Sequence, residues 1–279
     1  RLLGEKKDNE AKKTCAFCIW ISLVFGLCIS AILLLFRTQI LGLLGVGKDT
    51  YQYANAYYTW IAIGAVSIIF SMVPSNILRT EGLAVQSMAG SIIGSIVNII
   101  FDPIFIFGLN QGAAGAAMAT VLGNIIADIY YVYAVVKKSK RLTCSPSHMK
   151  VTGRRIRDIL MIGIPASITN IMQTFMMVMT NNFLLTYGTD KVAAMGIALK
   201  VNMITALVLV GFAFGGQPLV GYNYGAKNEK RLKNILKFAY LFEMGLGLLF
   251  TILMCIFAPQ IIKVFMDKPD IITNGADRK

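Results

Sequence analysis

Asn98-Ile-Ile-Phe-Asp102-Pro103-Ile-Phe-Ile-Phe-Gly108-Leu-Asn110-Gln-Gly112-Ala-Ala-Gly-Ala-Ala-Met-Ala-Thr120 decides the reading of this chain. From Gly82 to Gly108 the sequence carries one charged residue, Asp102. An acid at membrane depth costs about 3 kcal/mol and marks a functional site by default. Asn98 lies one helical turn before it, so an amide and a carboxyl share one helix face. Pro103 cannot donate a backbone bond, which leaves the Ile99 carbonyl without its helical partner on the same turn. The helix ends at Gly108-Leu-Asn-Gln-Gly112 and the chain re-enters the membrane. With the turn centred near Gln111, Thr120 is expected level with Asp102 in an antiparallel hairpin. On the returning helix Thr120, Asn124 and Asp128 recur every four residues and form one polar stripe. That stripe is expected to face Asn98 and Asp102 across a polar cavity. Hard oxygen ligands of this kind suit a small cation such as sodium, or a proton held on the carboxyl.

Composition places this hairpin in a bilayer. The chain is 56% hydrophobic and 15% charged, with a mean hydropathy of +0.64, which is the composition of a polytopic all-α membrane protein. Seven runs are long enough to span, near residues 14–36, 54–76, 84–107, 113–136, 157–185, 192–216 and 235–257. They are richer in Gly, Ser, Thr and Pro than lipid-facing Leu runs, as packing within a bundle requires. The formal charge of +13 falls in alternate loops, at Arg1–Lys13, Arg79, Lys137–Arg157 and Lys227–Lys237. That is a positive-inside pattern with the first group cytoplasmic, and nucleic acid is not needed to explain it. Arg79 and Glu81, after a bend expected at Pro74 and Asn76, are placed at the headgroups.

Two motifs are set aside. Cys15-x-x-Cys18 has a metal or redox spacing, but there is no second pair and His148 is the only imidazole. Gly42-Leu-Leu-Gly-Val-Gly47-Lys48 resembles a phosphate loop, but Asp49 stands where Ser or Thr would hold magnesium.

The chain repeats itself. Aligning Gly4 with Gly225 also aligns Phe36-Arg-Thr-Gln39 with Phe257-Ala-Pro-Gln260 and Asp49 with Asp270, without a gap. Internal duplication is a common transporter construction. Equivalent halves would require further spans before Arg1 and after Lys279. In the second half, Asn170, Gln173, Thr174, Asn181 and Asn182 share one span, Lys200 and Asn202 the next, and Glu243 the last. Asn170, Gln173, Lys200 and Glu243, with Asn124 and Asp128, are candidates for cavity lining.

Asn76-Ile-Leu-Arg-Thr-Glu-Gly82, Asn98-Ile-Ile-Phe-Asp-Pro103, Gly115-Ala-Ala-Met-Ala-Thr120 and Gln217-Pro-Leu-Val-Gly-Tyr-Asn-Tyr-Gly-Ala226 together resemble the MATE family, the multidrug and toxic compound extrusion transporters. The resemblance runs over nearly the whole chain. It implies a twelve-helix bundle of two pseudo-symmetric lobes, truncated here at both ends to the third to ninth helices. Residues 1–137 would be part of the N-lobe, 138–156 a cytoplasmic linker, and 157–279 part of the C-lobe. The family's N-lobe cation site matches Asn98, Asp102 and Thr120. Its first-helix acid would lie upstream of Arg1. The acid that some members carry on the seventh helix is Gln173 here, which argues against a C-lobe cation site and shifts weight to Asp102.

The function implied is a cation-coupled antiporter, driven by sodium or protons, that exports amphipathic and often cationic drugs or metabolites across the cytoplasmic membrane. Pro103 would be the hinge. A multi-pass monomer is expected, with a small-molecule substrate, the lipid bilayer as its partner and no cofactor beyond the coupling ion. The alternative is a lipid-linked oligosaccharide flippase of the same wider superfamily, which should show a basic cavity. An enzyme is not expected, since no His-Glu-x-x-His, no Gly-x-Ser-x-Gly and no second acid paired with Asp102 is present.

Overall fold

The structure, a computed structural model, describes residues 1–43, 46–47, 50–149, 151–185 and 189–265. Asp49, Asp270 and Ala276–Lys279 lie outside these, and so do the side chains of Asn181, Asn182 and Lys200. Among the described residues the regular elements are helical: α1 (Asp8–Leu35), α2 (Arg37–Leu43), α3 (Tyr51–Thr80), α4 (Ala84–Pro103), α5 (Gly112–Lys138), α6 (Gly153–Leu185), α7 (Thr189–Gly225) and α8 (Glu229–Phe265). A π-helical segment, Ile104–Gly108, extends α4, and a 3-10 turn forms at Pro146–His148. Seven of the helical stretches are long and apolar enough to cross a membrane, one for each run in the sequence. The short α2 stands where a plain loop was expected. The helices outlast the apolar runs because their ends, such as Lys230, Arg231, Lys233 and Lys237 in α8, can project from a bilayer without breaking the backbone ladder.

The chain divides into two compact units, Arg1–Val151 and the segment from Thr152 onward. In the first, α3 packs against α1 and α5, and α4 packs against α5. The buried faces are made of small residues: Ala11, Ala16, Ser22, Gly26 and Ser30 on α1, Ala62, Gly64 and Ala65 on α3, and Ala114, Gly115, Ala117, Ala119, Gly123 and Ala127 on α5. Large side chains such as Phe25 and Ile99 point outward. Lipid solvates these as well as protein would, so close backbone approach, not hydrophobic burial, selects the interface. Where α4 crosses α5 the two backbones touch. A Cβ at Gly123 would lie 2.6 Å from the Gly94 carbonyl oxygen, and one at Gly94 would lie 2.9 Å from that of Gly123.

One end of this unit is tied by polar groups. Glu81 Oε1 accepts the backbone N–H groups of Lys140 and Arg141, each at 2.9 Å, and Trp20 Nε1 donates to the Cys144 carbonyl at 3.0 Å. Arg79 reaches back to Ser87 Oγ (3.3 Å) and Ser75 Oγ (3.4 Å). Arg79 and Glu81, expected at the headgroups, are thus also bonded within the unit. The first part of the polar segment 138–156 is therefore held to the first unit. α3 continues through Pro74, which is buried within the helix.

In the second unit α7 packs against α8 and α6 against α7. Phe212 stacks on Phe242 with ring centroids 4.4 Å apart. The most apolar stretch of each of these three helices contains no buried residue.

The start of the sequence repeat is also a structural one, whereas at Phe36 α1 ends and at the matched Phe257 α8 continues. Lys6 and Lys227 both have positive φ, 56° and 54°. The turn bonds recur in one register: Glu5 N to Arg1 O (3.0 Å) matches Ala226 N to Tyr222 O (2.9 Å), and Lys7 N to Leu2 O (3.1 Å) matches Asn228 N to Asn223 O (3.0 Å). α1 begins at Asp8 and α8 at Glu229, again in register.

Candidate functional site

The α4–α5 hairpin brings Asn98, Asp102 and Thr120 together. Asn98 Nδ2 lies 3.4 Å from Asp102 Oδ1 and 3.3 Å from Thr120 Oγ1. All three side chains are half-buried. Asn98 and Asp102 meet because four residues make one helical turn, and Thr120 meets Asn98 across the Gly94–Gly123 crossing. Thr120 Oγ1 also donates to the Ala116 carbonyl (2.9 Å), and Asn124 Nδ2 donates to the Thr120 carbonyl (2.8 Å).

The hairpin register differs from the sequence expectation. Thr120 bonds Asn98 directly, not Asp102, which sits one turn nearer the connection. The reason is the π-helical segment after Pro103. Leu109 N bonds the Ile104 carbonyl at 2.9 Å and Gln111 N bonds that of Phe105 at 3.1 Å, so this turn holds more residues than an α-helical one. Gly115 lets the wide turn dock, since a Cβ there would meet the Phe105 carbonyl carbon at 2.6 Å.

A cavity of about 310 Å³ opens beside this cluster. Its polar lining comprises Ser71, Ser91, Ser95, Asn98, Thr120, Asn124 and Tyr131. Asn124 lines the cavity, whereas Asp128 turns elsewhere. The Asp128 carboxyl turns to α3 and hydrogen-bonds the Ser67 hydroxyl. Four-residue spacing fixes a face only approximately: at 3.6 residues per turn the stripe drifts around α5, and after two turns Asp128 meets α3. Ser71, Ser91 and Ser95 were missed. A signal for two of them was present, since Ser87, Ser91, Ser95, Asn98 and Asp102 recur at three- and four-residue steps along α4.

In the second unit, the Asn170 amide donates to its own helix at the Ala166 carbonyl (3.0 Å). Gln173 is exposed and Glu243 half-buried. Lys200 lies in α7, its side chain outside those described. Among the described residues no three of His, Cys, Asp and Glu cluster as metal ligands, so the chemistry at Asp102 is that of amide, hydroxyl and carboxyl oxygens.

Comparison with known proteins gives the same outline. The MatE family model matches residues 1–104 and 165–277, which include Asn98 and Asp102. The chain is 30% identical to the multidrug export protein MepA of Staphylococcus haemolyticus over 275 residues, covering 98% of this chain and 60% of the relative. MepA of Staphylococcus aureus (strain NCTC 8325) is 30% identical over 254 residues, 91% of this chain and 55% of the relative. Among solved structures, the outward-facing conformation of a multidrug resistance MATE family transporter of the MOP superfamily superposes with a TM-score of 0.92 at 25% identity, covering 99% of this chain and 62% of that one. A MOP superfamily transporter from Pyrococcus furiosus, described as having a binding pocket of reverse polarity that suggests a different function, gives 0.91 at 25% identity over 99% of this chain and 62% of its own. The chain spans about 60% of the length of the curated relatives it matches.

Proposed function

The chain belongs to the MATE family and is a multi-pass protein of the cytoplasmic membrane; on that premise we propose that it works as a cation-coupled antiporter exporting amphipathic organic compounds, with Asn98, Asp102 and Thr120 as the coupling site. The observation that carries the reading is that Asn98 bridges Asp102 and Thr120 on the α4–α5 hairpin beside a polar cavity. In the present arrangement Asn98 offers its Nδ2 to both Asp102 and Thr120. Turning that amide over places Oδ1 at the same point, since an Asn side chain presents a donor and an acceptor of nearly equal shape. Three hard oxygens then converge, which fits sodium with water or backbone carbonyls completing the shell. A proton on Asp102 would satisfy the same arrangement, donating to Asn98 Oδ1. Both ions remove the uncompensated charge of the carboxylate at membrane depth.

Coupling requires that the ion prefer one arrangement of the hairpin to another. Pro103 and the π-helical segment are the place for that change, because the regular i to i−4 bonding is interrupted there. The flippase reading calls for a basic cavity, and here the cavity wall is hydroxyl and amide with a carboxyl alongside.

The test is efflux of a fluorescent organic cation from vesicles containing the intact protein, under imposed sodium or proton gradients. The expected outcome is that one gradient drives efflux and that Asp102→Asn removes the dependence on it. Efflux indifferent to both gradients, or gradient-driven efflux unchanged in Asp102→Asn, rejects the assignment.

A further inference from the structure

α5 carries a second acid that the coupling site does not use. Asp128 lies eight residues beyond Thr120, about 12 Å along the helix, at the seam with α3. Its Oδ2 is hydrogen-bonded to the Ser67 hydroxyl. Its Oδ1 is fully buried and has no hydrogen-bond partner among the described residues. The helices around it offer small groups, with Gly64 and Ala65 buried on α3 and Ala127 buried on α5, and the polar cavity wall at Ser71 and Asn124 stands one turn away on each helix.

Among the described residues no cation faces this carboxyl. On α5 the nearest titratable groups are Tyr130 and Tyr131, and the Tyr131 hydroxyl is bonded to Ser91 Oγ at 2.7 Å. Lys137 and Lys138 stand nine and ten residues further on. On α4 Asp102 is one turn from Asn98 beside Thr120. On α3 Arg79 is twelve residues from Ser67 and turned to Ser75 and Ser87, while Tyr51, Tyr53, Tyr57 and Tyr58 occupy the opposite end. Arg37 reaches α3 at Thr59, eight residues before Ser67. α1, on another side of α3, is charged only from Asp8 to Lys13.

A carboxyl with one oxygen buried and unpartnered and, among the described residues, one hydroxyl as its donor and no facing cation is placed to hold a proton. We propose that Asp128 is a second proton-binding site of this protein, protonated while α3 and α5 are closed and bonded through Ser67, and deprotonated when the two helices part and water reaches Oδ1. In the closed state the proton sits on Oδ2 and is donated to Ser67 Oγ, leaving Oδ1 as a neutral carbonyl that tolerates burial far better than an anion. The use of this proton in transport rests on the antiporter reading; its presence does not.

The test is infrared spectroscopy of the intact protein in lipid, titrated between acid and alkaline pH. The expected result is a protonated-carboxylic-acid carbonyl band at neutral pH that persists in Asp102→Asn, disappears in Asp128→Asn and shifts in frequency in Ser67→Ala. Should Asp128→Asn fail to fold, the frequency shift in Ser67→Ala supports the site and an unshifted band overturns it. A neutral-pH spectrum that Asp128→Asn leaves unchanged also overturns it. Failure of the antiporter reading shows separately, as wild-type efflux indifferent to gradients, and leaves the band result standing.

Discussion

Arg1–Ala11 and Tyr222–Leu232 make the same turn with the same backbone bonds, yet the helices they launch have different surroundings. α1 buries Ala11, Cys15, Ala16, Ile19, Ser22, Gly26 and Ser30, whereas the most apolar stretch of α8 buries nothing. The two turns share only Gly4 with Gly225, both buried, and Lys6 with Lys227, both at positive φ. The turn is thus set within about eleven residues by a glycine, a left-handed residue and four backbone bonds. Burial is set by what packs against the helix, and for α1 that is the small-residue face of α3.

The largest expected effect tests packing. Gly123→Ala puts a Cβ 2.6 Å from the Gly94 carbonyl oxygen, at a cost of about 2 kcal/mol, and it displaces Asn98 from Thr120. Gly247→Ala on α8 meets nothing within 4 Å and should stabilise its helix by roughly 0.5 kcal/mol through propensity alone. Thermal unfolding in detergent should show a fall for the first and no fall for the second. Equal effects would break the distinction between a packed and an open helix.

The second concerns the polar tie of the first unit. Glu81→Gln weakens two charge-assisted bonds to the Lys140 and Arg141 amides, a loss of about 1 kcal/mol. Faster proteolysis between Ser139 and His148, with Trp20 fluorescence altered, is the expected readout. Unchanged cleavage would return Glu81 to a headgroup role.

The smallest concerns the shared turn. Lys6→Gly and Lys227→Gly each relieve a left-handed residue, worth roughly 0.5–1 kcal/mol before the entropy cost of glycine, so both should shift stability slightly and by the same amount. Unequal shifts would show that the turns are not locally determined.

Much of this was legible in the sequence because helices obey short-range rules. The spans followed from run length, and Asn98 beside Asp102 followed from four-residue spacing. The shared turn before α1 and α8 followed from one ungapped register. The illegible parts depend on geometry that spacing does not encode. The π-helical segment after Pro103 has no sequence signature beyond the proline, and it moved the contact of Thr120 from Asp102 to Asn98. Asp128 was read onto the cavity stripe, but a drift of a few tens of degrees around α5 turned it to Ser67, on a helix whose crossing angle no local rule supplies. The serine and backbone partners of Arg79 and Glu81, up to sixty residues away, were not visible in the sequence, although the charges were.

The most direct test of the hairpin as the ion-responsive element is amide hydrogen exchange on the intact protein in lipid, with sodium and pH varied separately. The expected result is that protection across Phe101–Leu109 changes with one of the two ions in the wild type and not in Asp102→Asn, while α6 is unaffected in both. A hairpin indifferent to sodium and pH, or one that responds equally in Asp102→Asn, would contradict the assignment of the coupling ion to Asn98, Asp102 and Thr120.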